Sequence, residues 1–177
     1  MHEDADDHLV NVLGAQVLAV GDLLDEAVVE ASGTSRSGAA AMAVLVQAGP
    51  LPVTELGRRV GLSQPAAARM VDALSAAGLA RREPGEGRAV PVVLTARGRR
   101  TARKVLAARA ERLGGLLEGL SGPEQRTLAR LLGTVLADVY EAMPDARLIC
   151  RLCDRSGCVR TAERCPVGAA AGEPPGG

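Results

Sequence analysis

Apolar residues open the chain in a helical rhythm. Val10, Leu13, Val17, Val20, Leu24 and Ala27 alternate at spacings of three and four, within a helix predicted from Ala5 to about Ala31. A seam this long in a small domain calls for a partner helix. Ser32 to Gly38 is a turn of small polar residues, and Gly38 to Ala48 predicts an Ala-rich second helix whose short side chains permit close approach. Val53, Leu56 and Val60 then mark a short helix from Pro52 to Gly61. Ser63 as N-cap and Pro65 in the first turn start another, from Gln64 to Ala77, which Gly78 stops. On that helix Ala67, Met70, Val71 and Leu74 gather on one face, while Pro65, Arg69, Asp72 and Ala76 point the opposite way. One side packs; the other is free to touch something.

Beyond Gly78 the pattern changes. Leu79 to Glu83 can be extended, Pro84-Gly-Glu-Gly-Arg88 is a turn cluster, and Ala89 to Leu94 is a β-branched run in which Pro91 predicts an edge strand. Thr95 is placed as an N-cap for a long helix from Ala96 to Leu120, carrying Val105, Leu106, Leu113, Leu116 and Leu117, with a bend predicted at Gly114-Gly115. Ser121-Gly-Pro-Glu124 is a capping box. It opens a helix to about Ala142 with a broad stripe of Leu128, Leu131, Leu132, Val135, Leu136 and Val139, ended by Pro144. The fold class that follows is mainly α with a small two- to three-stranded wing. Residues 34–95 form a winged helix-turn-helix domain, flanked by a helical dimerisation region made of 1–33 and 96–143. Residues 144–166 hold every cysteine, and the Ala, Gly and Pro composition from Pro166 predicts a disordered tail over 167–177.

Composition narrows this picture. The chain has no Trp or Phe and a single tyrosine, Tyr140, so its core must be built from Ala, Leu and Val in closely packed helices. No apolar run approaches the ~18 residues of a membrane span, and the acidic start is unlike a signal peptide, so the protein is expected in the cytoplasm and not in a membrane. Formal net charge is zero, but residues 1–50 carry eight acids and one base, whereas 51–104 carry eleven bases and four acids. The positive excess coincides with the helix-turn-helix, as phosphate contact requires. The helix after the wing begins with Arg97, Arg99, Arg100, Arg103 and Lys104. Positive charge at a helix N-terminus opposes the macrodipole, so phosphate contact accounts for this cluster better than helix stability or a merely solvated face.

The run T-E-L-G…G-L-S-Q-P-A-A-A-R-M-V-D-A-L…G-L-A-R-R…G-R…V-L-T-A-R-G resembles the MarR-type transcriptional regulators, over roughly residues 35 to 142. The resemblance implies a recognition helix in the major groove, with Ser63, Gln64, Pro65 and Arg69 facing it. It also implies a wing-tip arginine, Arg88, in the minor groove. Glu86 stands where the family's wing usually carries an Asp. A homodimer is implied as well, its first helix and last two helices interlocked with those of the second subunit.

All four cysteines follow that region, as Cys150-x2-Cys153-x4-Cys158-x6-Cys165. A C-x-x-C knuckle and two further cysteines within sixteen residues of a cytoplasmic protein point to one shared site. A tetrahedral thiolate zinc site is the first reading, an iron–sulfur cluster the second, and reversible disulfides the third. The interleaved Arg151, Arg155, Arg160 and Arg164 favour thiolate and suit all three. His2 and His8 lie at the other end of the chain. Because the module follows the last dimer helix, it is expected beside the helical dimer core and away from the wing, fastening the C-terminus.

Nothing in the sequence groups residues for catalysis: no Ser/His/Asp candidates, no phosphate-binding Gly loop, no nucleophile elbow. A thiol–disulfide oxidoreductase would want Cys150 and Cys153 at a βα junction that this pattern does not supply. The leading reading is a homodimeric regulator that binds double-stranded DNA, as a repressor, with affinity set by a small-molecule effector, a metal or a redox event. An iron–sulfur or thiol redox sensor and a winged-helix protein-interaction module remain as alternatives.

Overall fold

A computed structural model describes residues 3–83, 90–155 and 165–170. Helix α1 spans Glu3–Ser32 and α2 Arg36–Ala48. Ser35 caps α2 by accepting from the Gly38 amide at 3.2 Å, which starts the helix two residues earlier than the sequence suggests. Its Gly38–Leu45 stretch is buried throughout, so this short-side-chain helix is the centre of the core rather than one wall of it. Around it sit Val28 of α1, Leu56, Val71 and Leu74 of the hairpin, and Ala102 and Val105 further on, all at most 1% exposed. With no aromatic side chain among the described core residues, close helix approach supplies the packing density.

Strand β1 (Leu51–Pro52) precedes α3 (Val53–Arg59), and α4 covers Gln64–Ala76. Strands β2 (Ala80–Arg82) and β3 (Pro91–Leu94) complete a three-stranded antiparallel sheet in the order β1-β3-β2. Pro91 therefore lies in the central strand, not at an edge. It is the first residue of that strand and sits opposite Pro52, while its carbonyl accepts from the Glu83 amide at 3.0 Å; a proline that starts a strand gives up no ladder bond there. The sheet has three strands, within the two to three expected; the two-residue β1 is too short to leave a periodic signal of its own.

Helix α5 runs Ala96–Gly115 and α6 Gly122–Ala142. The predicted bend at Gly114-Gly115 is instead the end of α5, with Leu116 as C-cap, because two successive glycines remove the side-chain support a helix interior needs. Ser121 and Glu124 form the capping box of α6. Helix α5 packs on α1 and α2, whereas α6 buries none of its residues in this chain. The apolar rows stay open: Val10 is 67% exposed, Val17 62%, Leu132 51% and Val139 40%. No described helix is long and apolar enough to cross a membrane.

Two short helices follow. Helix α7 (Ala146–Ile149) returns to α3, and α8 (Pro166–Ala170) packs against α6 with Val167 1% exposed. Residues 166–170 are thus helical where their composition predicts disorder. Pro166 supplies a helix-compatible first turn and rests near Gly133 of α6.

Candidate nucleic-acid interface and cysteine site

The α3–α4 hairpin is tight because Gly57 lies under α4. A Cβ there would come within 2.6 Å of the Ala67 Cβ, so a larger residue would push the helices apart. Gly61 then turns the chain at φ 73°, a conformation that favours glycine. The buried face of α4 is Ala67, Met70, Val71 and Leu74, as the spacing predicts. Ser63, Gln64, Pro65 and Arg69 are exposed together on the other side. Ser63 is the N-cap by backbone conformation, but its hydroxyl makes no capping bond, so it is not committed to the helix. Among the described residues Arg69 has no ion-pair partner. Asp72, on the same side of α4, is paired with Arg82 of β2 at 2.6 Å, which offsets the one carboxylate that would repel a phosphate backbone.

At its C-terminal end α4 is clasped by the start of α5. Arg97 donates to the Ala77 carbonyl at 3.1 Å, the Thr95 hydroxyl to the Gly78 carbonyl at 2.8 Å, and the Thr95 amide to the Leu79 carbonyl at 3.0 Å. Carbonyls that the helix leaves unpaired are satisfied this way. Gly98 passes so close that a Cβ on it would fall 1.8 Å from the Leu79 oxygen. Arg99 donates to the Leu94 carbonyl at 2.7 Å. Arg97 and Arg99 therefore have backbone anchors that the sequence does not suggest, though both remain exposed, as does Arg100. The wing-tip Arg88 and Glu86 lie outside the described residues.

Of the cysteines, Cys150 and Cys153 are brought together and Cys158 lies outside the described residues. All three described cysteines are half-buried thiols, and Cys165 stands just before α8. Among the described residues no three His, Cys, Asp or Glu side chains are grouped to hold a metal ion, so Cys165 does not join the pair. The Cys150 thiol hydrogen-bonds to the Cys153 sulfur and draws its pKa down to about 6; burial opposes this, Arg109 and Arg151 add to it, and Asp154 works against it. The two sulfurs suit half of a tetrahedral thiolate site or the two halves of a disulfide.

Leu152 is buried in the core, and Gln47 of α2 grips the chain on either side of Asp154, donating to the Cys153 carbonyl at 2.8 Å and accepting from the Arg155 amide at 2.7 Å. The knuckle is thereby held against α2, with Arg109 of α5 close to the Cys153 sulfur and Asp25 of α1 close to Arg151, while α8 packs on α6. Gln47, Arg109 and the Asp72–Arg82 pair escape sequence reasoning because each acts on a partner far along the chain; Leu152, an apolar residue between two cysteines, is the one signal that could mark a docked knuckle.

No curated protein sequence matches the chain. Among solved structures it is similar to the YusO protein from Bacillus subtilis, at 22% identity and TM-score 0.68, covering 77% of this chain and 97% of that one. A MarR family protein from Bacillus stearothermophilus gives 23% identity and TM-score 0.68, over 78% of this chain and 98% of that one. The MarR family protein RV2887 of Mycobacterium tuberculosis, solved in complex with salicylic acid, gives 29% identity and TM-score 0.52, over 70% of this chain and 95% of that one. Residues 32–89 match the MarR family model, and the chain shares the winged helix-turn-helix fold of these solved structures.

Proposed function

We propose that this protein is a homodimeric, DNA-binding transcriptional regulator, acting as a repressor rather than as an enzyme. The observation that carries this is the outer face of α4, where Ser63, Gln64, Pro65 and Arg69 are all exposed while the opposite face is fully packed. A helix held rigidly by a hairpin, with its polar side unoccupied and its one carboxylate paired, suits insertion into a major groove. The MarR-family domain over 32–89 supports the same reading. Dimerisation is supported by the apolar rows left open on α1 and α6, which are large for a lone soluble chain. Salicylic acid in the RV2887 complex supports a small-molecule effector here too.

Selection from random duplexes, followed by fluorescence anisotropy, tests the reading. We expect a pseudo-palindromic duplex with half-sites about one helical turn, ~10 bp, apart, because a two-fold dimer offers its recognition helices to successive major grooves on one face. Failure to enrich any duplex, with a monomer in sedimentation, would leave the winged-helix interaction module as the better description.

At the cysteines we propose zinc, for which Cys150 and Cys153 stand together as two thiolates and toward which Cys165 would have to move, with Cys158 as the fourth ligand; Zn²⁺ prefers four such thiolates and has no redox chemistry of its own. Metal analysis of purified protein checks this, with about one zinc per chain expected. Iron with sulfide and a brown colour would turn the site into a cluster sensor instead. Neither metal, with a disulfide between Cys150 and Cys153 after air exposure, would make it a thiol switch.

A further inference from the structure

After α6 the chain does not simply trail away. Asp145 caps α7 by accepting from the Arg147 and Leu148 amides at 3.1 and 3.2 Å, and its carboxylate also lies 3.6 Å from Arg58 of α3. Arg147 reaches Glu55 of α3 at 3.4 Å. Leu148 covers the turn of the hairpin itself, its methyl 3.1 Å from where a Cβ on Gly61 would stand. Two residues later comes the Cys150–Cys153 turn, closed by the Cys153 amide donating to the Cys150 carbonyl at 3.0 Å. Leu152 is then sunk in the core and Gln47 holds the chain to α2. Residues 145–155 are thus tied at one end to the helix-turn-helix and at the other to the body of the domain, with the two sulfurs on the span between.

We propose that this span is a strap through which bridging of the Cys150 and Cys153 sulfurs by one soft, thiophilic atom is felt by the DNA-reading hairpin. The argument is one of constraint. A single atom bonded to both sulfurs fixes the 150–153 turn, and because Leu152 and Gln47 hold its far side, the adjustment falls on α7 and its seat over α3 and Gly61. The ion pairs at that seat lie at the surface and are worth little singly, so the seat is shifted easily. This inference rests on the DNA-binding reading for its biological meaning, but not for its test.

The probe is phenylarsine oxide, whose hydrated form carries two hydroxyls on arsenic. Each cysteine sulfur forms one S–As bond, each hydroxyl leaves as water with a thiol proton, and no electron is transferred. Full-length protein carrying Cys158→Ser and Cys165→Ser is used so that only the pair reacts, with one adduct per chain verified by mass spectrometry. Bridging should change affinity for the selected duplex by at least tenfold, and change amide exchange at Gly61 and Leu62 in the absence of DNA. In the same background Leu148→Ala, and separately Arg147→Ala, should reduce both responses to less than twofold while unbridged protein still binds DNA. Equal responses with and without the strap variants would overturn the proposal, as would an adduct that leaves exchange at the hairpin unchanged or a failure of the pair to take up one arsenic. If no duplex binds even unbridged protein, the DNA-binding reading fails, and hydrogen exchange alone still decides whether the strap couples the two sites.

Discussion

Arg69 and Gly98 mark two different ways in which one position can matter. Arg69 is exposed and, among the described residues, without an acid to pair with. If it reaches a base edge, Arg69→Ala should cost about 1–3 kcal/mol on the selected duplex and little on random DNA, whereas equal loss on both would reduce it to a phosphate contact. Gly98 has no such surface role. A Cβ on it would fall 1.8 Å from the Leu79 oxygen, which leaves no room for a methyl, so Gly98→Ala should destabilise the fold by roughly 3 kcal/mol or more, read as a lower denaturation midpoint. Cys153 is a third case. Its thiolate is favoured above a pKa of about 6, against about 8.5 for an ordinary cysteine, so its alkylation rate in metal-free protein should rise with a midpoint near pH 6. The sign for stability follows: the thiolate's contribution is complete above the unfolded pKa and is lost as pH falls through about 6. A midpoint near 8.5 would mean that the Cys150 hydrogen bond does not persist in solution. Arg69 was legible from helical spacing alone, while Gly98 was not, because nothing in a sequence says which carbonyl another segment will bring to a glycine.

Among the elements, those with their own period were readable. The buried face of α4, the capping box of α6 and the seam of α1 each follow from residues three or four apart. What escaped reading was set by contacts between segments. Strand β1 exists only because β3 pairs with it; α7 and α8 are four and five residues long and stand because α3 and α6 receive them. Gln47 is the clearest instance, a polar residue near the end of an Ala-rich helix whose partners lie more than a hundred positions away. Gln47→Ala should leave the core intact yet release the knuckle, raising amide exchange at Cys153 and Arg155 while Met42 and Val44 stay protected. Unchanged exchange at the knuckle would show that Leu152 holds it alone.

For the whole molecule, the proposed dimer would use the open apolar rows of α1 and α6, which are apart from the α3–α4 hairpin. Replacing all four cysteines by serine should therefore leave a dimer in sedimentation; a clean monomer would mean the knuckle is part of the contact. Next to the hairpin stands the clasp of Thr95 and Arg97 on the Ala77 and Gly78 carbonyls just past α4. In the proposed dimer it would make α4 and α5 turn as a single piece, so that a change in the tilt of α5 would be copied into the spacing of the two α4 helices on DNA. Variants at Thr95 would then form a distinct genetic class. They would fold and pair with their sister subunit, yet tolerate operators with a base pair added or removed at the centre, which the parent protein would refuse.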